Sequence, residues 1–166
     1  MTEHSDPAQR VADLVRAAHL CMLTTQNDEG RLVSRPMALQ EAEFDGDLWF
    51  FTHEDTSAVA HVQTRPQVGV SFADHRNTAW TSIAGTAQVV RDRARMEELW
   101  SAPLKVWFPE GTETPGLVLL RVEAQSAEYW DSPASRVKRL VGAARAAVTG
   151  DPEKYPGTNE TVDLDD

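Results

Sequence analysis

The run Leu32-Val33-Ser34-Arg35-Pro36-Met37-Ala38 carries one cation among mostly apolar residues. Side chains alternate along a strand with period two, so Arg35 shares a face with Val33, Met37 and Leu39. An arginine on an apolar face needs an anionic partner or a route to water. It can be an ion pair, a snorkelling edge residue or the grip for an anionic ligand. Further on, Asp47-Leu48-Trp49-Phe50-Phe51-Thr52 reads as an aromatic strand ending in a hydroxyl residue. Thr52, Thr56 and Ser57 surround a predicted helix start. Free N–H groups and the helix dipole make such a start ready for phosphate, although the same hydroxyls serve most helices as plain N-caps. Arg35 and this helix start together form a candidate clasp for a flat aromatic ligand with an anionic tail.

The elements that must position these residues are legible as punctuation and period. Asp6-Pro7 is an N-cap followed by proline at the first helical position, and Val11, Leu14, Val15 and Ala18 recur at helical spacing. Leu20 to Thr25 reads as a strand. Asn27-Asp28-Glu29-Gly30 is turn chemistry, and Leu32 to Ala42 is the return strand of a hairpin. Thr52-His53-Glu54-Asp55 resembles a capping box for a short helix that must stop before Pro66. Val68, Val70 and Phe72 alternate along a fourth strand. Ala79 to Val90 is a fifth, with Gly85 marking a bend or a close backbone approach. Met96, Leu99 and Trp100 mark a helix after Asp92, and Ala102 to Gly116 is a loop. Leu117 to Trp130 is a final strand broken near Ala124. Ser132-Pro133 caps a last helix burying Val137, Leu140, Val141 and Ala144. The expected fold is mainly β with flanking helices, a six-stranded antiparallel barrel whose closure removes strand edges. Residues 1–150 form this domain, and residues 151–166 an acidic flexible tail.

Composition narrows the function. The chain has 166 residues, 41% hydrophobic and 25% charged, enough for one domain with a real core. The formal net charge is −10, and residues 151–166 hold six acidic groups against Lys154. Phosphate neutralisation needs a basic surface, so nucleic acid is disfavoured as a partner. No apolar run approaches the ~18 residues of a membrane span, and Met1 to Arg10 lacks a signal-peptide core. Cys21 is the only cysteine, which excludes an intramolecular disulfide and a thiolate cluster. His4, His19, His53, His61 and His75 form no short metal-ligand spacing and read as surface or capping residues. A reduced, cytoplasmic protein without a metal is expected.

Six runs occur in order: Ser34-Arg35-Pro36-Met37, Phe44 to Thr52, Arg65-Pro66-Gln67-Val68, Gly85-Thr86-Ala87, Lys105 to Gly111, and Glu128-Tyr129-Trp130-Asp131-Ser132-Pro133. With them the chain resembles the general stress protein 26 group of the pyridoxamine 5'-phosphate oxidase-like family, which are FMN-binding split barrels. The resemblance implies a homodimer with FMN at the subunit interface. It implies that Arg35 contacts the FMN phosphate and that the backbone of Pro36, Met37 and Ala38 lines the isoalloxazine. It places Phe51 and Thr52 beside the flavin and puts Thr56 where the family has serine. Trp80 falls near a position where the partner subunit reaches the flavin. Where the oxidases carry a basic pair after that serine, this chain has Ser57 and Ala58. Gln40 replaces a substrate-binding lysine, and the C-terminal Arg/His substrate motif is absent. Authentic pyridoxamine 5'-phosphate oxidation is therefore not expected.

Trp107, with Trp100, Phe108 and Trp130, can form an aromatic wall over a flavin or can anchor the core or an interface. Arg136, Lys138, Arg139 and Arg145 lie on the last predicted helix, as a solvated face or an attractor of anions. The expected function is a flavin-dependent oxidoreductase of the stress type acting on a small molecule, with no protein acid or base assigned. The alternatives are a protein that stores or senses FMN, deazaflavin or haem, and a cofactor-free dimeric module.

Overall fold

The computed structural model describes residues 6–40, 44–75, 78–131 and 158–164. Helix α1 (Pro7–Ala17) leads into strands β1 (Leu20–Gln26), β2 (Leu32–Ala38) and β3 (Asp47–His53). Helix α2 (Ser57–Thr64) follows, then β4 (Gln67–Asp74), β5 (Ala79–Val90) and helix α3 (Arg93–Leu99). Two short 3₁₀ turns, Ala102–Val106 and Gly111–Glu113, precede β6 (Leu117–Asp131) and β7 (Thr158–Asp163). The predicted last helix lies outside the described residues.

All ladders are antiparallel, in the order β2-β1-β4-β5-β6-β3, with β7 added to β6. Two expectations change here. Among the described residues there are seven strands rather than six, and no ladder closes the sheet between its ends. The ends, β2 and β3, are bridged by a backbone bond just past β2, from Gln40 N–H to the Trp49 carbonyl at 3.3 Å. Hydrophobic alternation identifies strands; it does not say which edges meet.

The seventh strand lies in the stretch expected to be a flexible tail. Thr158–Asp163 pairs with Ser126 to Asp131, and Val162 is buried in the main core with Leu164 packed beside it. Glu160 accepts a hydrogen bond from the Tyr129 hydroxyl at 3.0 Å. Glu160 shares the face of Val162 by the two-residue period, and the Tyr129 hydroxyl is what accommodates its carboxylate there.

β6 serves two neighbours besides β5 because it bends. Its first half pairs with β3 and its second with β7. Opposite β5, Gly85 faces Ala124 while Ala84 faces Ser126, so Gln125 is the extra residue of a bulge. Gly85 is required there: a Cβ would fall onto the Glu123 carbonyl and lie 3.2 Å from the Ala124 Cα.

The main core fills the concave side of the sheet. Leu23, Leu48, Phe50, Val70, Ile83, Leu120 and Val122 are fully buried there, capped by Val11, Leu14 and Val15 of α1 and Val59 and Val62 of α2. A second cluster packs Trp49, Phe51, Leu117 and Leu119 against Met96, Leu99, Leu104 and Phe108. β3 is thus covered on both faces, which explains its near-continuous aromatic run.

Candidate functional site

Arg35 does lie on the inner face of β2. Val33, Arg35 and Met37 are half-buried, whereas Leu32, Ser34 and Pro36 are exposed. Its Nη1 donates to the Thr25 hydroxyl at 2.9 Å. Thr25 is buried in β1, and its Oγ1 lies 2.8 Å from Nδ1 of His61 on α2. The Arg35 Nη2 is buried and has no hydrogen-bond partner among the described residues. Burial pushes the guanidinium pKa below its ordinary value, but arginine stays cationic. A buried N–H of a cation without an acceptor is costly, and an anion delivered from outside would remove that cost.

The helix start differs from the expected capping box. Thr56 is the N-cap of α2, and its side chain makes no cap hydrogen bond. Its hydroxyl donates instead to the His53 carbonyl at 2.9 Å and sits 3.3 Å from the hydroxyl of buried Thr52. The Ser57 and Ala58 N–H groups have no intrahelical acceptor, as in any first turn, and the cap side chain does not cover them. Ser57 and His61 are four residues apart and share a helix face. The tether Arg35–Thr25–His61 therefore brings the guanidinium to the face that Ser57 occupies. Ala58 is buried in the core, so a charge could not be carried there without leaving it.

Next to this clasp is a cleft of about 340 Å³. One side is Pro36, Met37 and Ala38 of β2 with Gln40 just past it; another is Phe51, Thr52 and His53 at the end of β3; the far wall is Leu104, Trp107 and Phe108. Leu20 of β1 completes it. The lining is largely apolar. Phe51 packs edge-on against Trp100 at 5.4 Å, and Phe108 tilts over the His53 ring at 5.2 Å, so these rings hold one another in place. The Gln40 amide is already engaged, its Nε2 donating to the Ala38 carbonyl at 3.1 Å.

Pro36, Met37, Ala38, Phe51, Thr52 and Trp107 thus meet in one cleft, with Arg35, Thr56 and Ser57 on elements beside it. Trp80 does not line it; it faces outward from β5, opposite Trp130 of β6, and both rings are exposed. Three participants escaped the sequence reading. His53 follows Phe51 at the two-residue period, a usable signal for a shared face. Thr25 and His61 carried no signal, because their contact spans 36 positions. Among the described residues no cluster of side chains can hold a metal ion.

The sequence matches the family described as "Pyridoxamine 5'-phosphate oxidase like" over residues 6–154. The chain belongs to that family. It is 29% identical over 157 residues to protein bli-3 of Neurospora crassa, covering 87% of this chain and 75% of that protein. A solved structure of a general stress FMN/FAD binding protein from Xanthomonas citri is 26% identical, with a TM-score of 0.66 over 76% of this chain and 89% of the other. A protein related to general stress protein 26 from Clostridium acetobutylicum shares the fold at 19% identity, with a TM-score of 0.70 over 95% of this chain and 94% of the other. Among the described residues no helix is long and apolar enough to cross a membrane.

Proposed function

We propose that this chain binds FMN, with its phosphate on Arg35 and the start of α2 and its ring system in the adjoining cleft. The observation that carries this reading is the buried Nη2 of Arg35, without a partner among the described residues, on a guanidinium tethered through Thr25 to His61, one turn into a helix whose start its cap side chain leaves uncovered. A charge-assisted bond there satisfies the guanidinium and is about twice as strong as a neutral one. The Ser57 and Ala58 N–H groups add donors and the favourable end of the helix dipole. The backbone of Pro36 to Ala38 and the side chains of Phe51 and Thr52 orient the ring system. Leu104, Trp107 and Phe108 exclude water from one side. A bound flavin supplies hydride or single-electron transfer, while the chain supplies binding, orientation and electrostatics. The X. citri protein, named as binding FMN/FAD, supports the same ligand class here.

The reading extends to a homodimer that completes the site. Leu20 lines the cleft yet is 64% exposed, and Met22, Leu32, Trp80 and Trp130 are further exposed apolar side chains. A second copy would cover them and close the open side. The dimer would act as a flavin-dependent oxidoreductase on a small molecule. A storage or sensing role is the second reading, favoured by one observation: among the described residues His53 is the one titratable side chain lining the cleft. The test is the visible absorption spectrum of freshly purified protein, with mass analysis of the released ligand and then reduction by a nicotinamide donor. FMN released from the protein supports the binding reading. Steady turnover to an acceptor supports the oxidoreductase, and binding without turnover supports storage. A different released ligand overturns the proposal.

A further inference from the structure

We propose that Thr25 and His61 are positioning residues that aim Arg35 at a phosphate monoester. The proposal rests on the flavin reading above and assigns the selectivity for the phosphorylated ligand to two residues outside the cleft. The geometry is a chain of three groups from three elements. Arg35 Nη1 lies 2.9 Å from Thr25 Oγ1, which lies 2.8 Å from His61 Nδ1.

The donor order toward Arg35 is forced. A guanidinium can only donate, so Thr25 Oγ1 is the acceptor there. Toward His61 the roles follow the imidazole tautomer: the hydroxyl donates to a bare Nδ1, or accepts from an Nδ1–H with its second lone pair. In either case the His61 contact holds the hydroxyl rotor, with a lone pair facing Arg35. The rotor in turn fixes the guanidinium through Nη1. Because the guanidinium is planar, fixing Nη1 also fixes where Nη2 points. Nη2 is the buried atom without a partner among the described residues.

The supports of the chain are rigid. Thr25 is 1% exposed and sits in the β1 ladder, opposite Val33 and diagonal to Arg35. His61 is held one turn into α2, between Val59 and Val62, which are both core residues. Without Thr25 or His61 the guanidinium would still be present and charged. It would lose its fixed direction, and a phosphate would have to order it on binding.

The experiment titrates FMN and riboflavin into the full-length protein, using flavin fluorescence. The variants are Thr25→Val, Thr25→Ser, His61→Phe and His61→Asn. Valine keeps the shape of threonine without its hydroxyl, and asparagine can place an acceptor near the Nδ1 position. Loss of one hydrogen bond's worth of orientation predicts FMN affinity reduced by about threefold to tenfold in Thr25→Val and His61→Phe. Riboflavin, which has no phosphate, should bind these variants as it binds the unaltered chain. Thr25→Ser and His61→Asn should keep FMN affinity within about twofold. A purely structural role would move both ligands together. Equal losses for FMN and riboflavin overturn the proposal, as does unchanged FMN affinity in Thr25→Val and His61→Phe. So does His61→Asn behaving like His61→Phe. No binding of either ligand to the unaltered chain would instead overturn the flavin reading, and this inference with it.

Discussion

In the proposed site Arg35 holds the phosphate, and this role separates from folding by the choice of ligand. Arg35→Ala removes a charge-assisted bond worth roughly 1.5–3 kcal/mol, so FMN affinity should fall by about tenfold to a hundredfold. Riboflavin affinity should hold; equal losses would mean that Arg35 acts on the fold. A lone arginine on an alternating apolar strand made this residue legible from its neighbours. Thr25 and His61 were not legible, because the packing of α2 over β1 brings them together and no local pattern encodes it. Cys21 tests burial at the same scale. Its thiol donates to the Met37 carbonyl at 3.6 Å, and burial pushes its pKa from 9.0 up to about 12. The folded state therefore favours the protonated thiol. That stability is present below pH 9 and is lost as pH rises toward 12. Urea unfolding across this range should show the unaltered protein losing stability relative to Cys21→Ala. A constant difference between the two would contradict the burial argument.

At the level of elements, the bulge and the added strand carry the sharpest expectations. Gly85→Ala would drive a Cβ into the backbone of Glu123 and Ala124, which cannot swing away as a side chain can. Overpacking of this kind costs about 1–3 kcal/mol, visible as a lower melting temperature. An unchanged melting temperature would mean that the strands can part without penalty. The sequence marked this glycine because a residue without a side chain in a long strand has few other uses. It did not mark β7. Thr158–Asp163 offers one apolar residue, Val162, and its pairing depends on an edge of β6 far away in the chain. Truncation after Gly157 removes that ladder, Val162 and Leu164. The truncated chain should melt lower, by about 2–4 °C for each kcal/mol lost at this chain length. Equal melting temperatures would restore the view of a dispensable tail.

For the whole molecule, β1 to β6, α1, α2 and α3 were readable from period and caps, as was the family from six ordered runs. Closure was not readable, because a strand pattern is local and the meeting of β2 with β3 is not. The result is an open sheet with a cleft at its split, between the end of β2 and the end of β3. This leaves one side of the cleft, where Leu20 lies, open in a single chain. In the proposed function a chain of net charge −10 takes an anionic ligand because Arg35, half-buried with its Nη2 out of solvent, is screened by salt less than a surface cation. The most direct test is an FMN titration of the purified full-length chain, followed by flavin fluorescence at moderate salt. Saturable binding is expected, with one FMN per chain and riboflavin bound more weakly. Fluorescence that never saturates, or riboflavin binding as tightly as FMN, would contradict it.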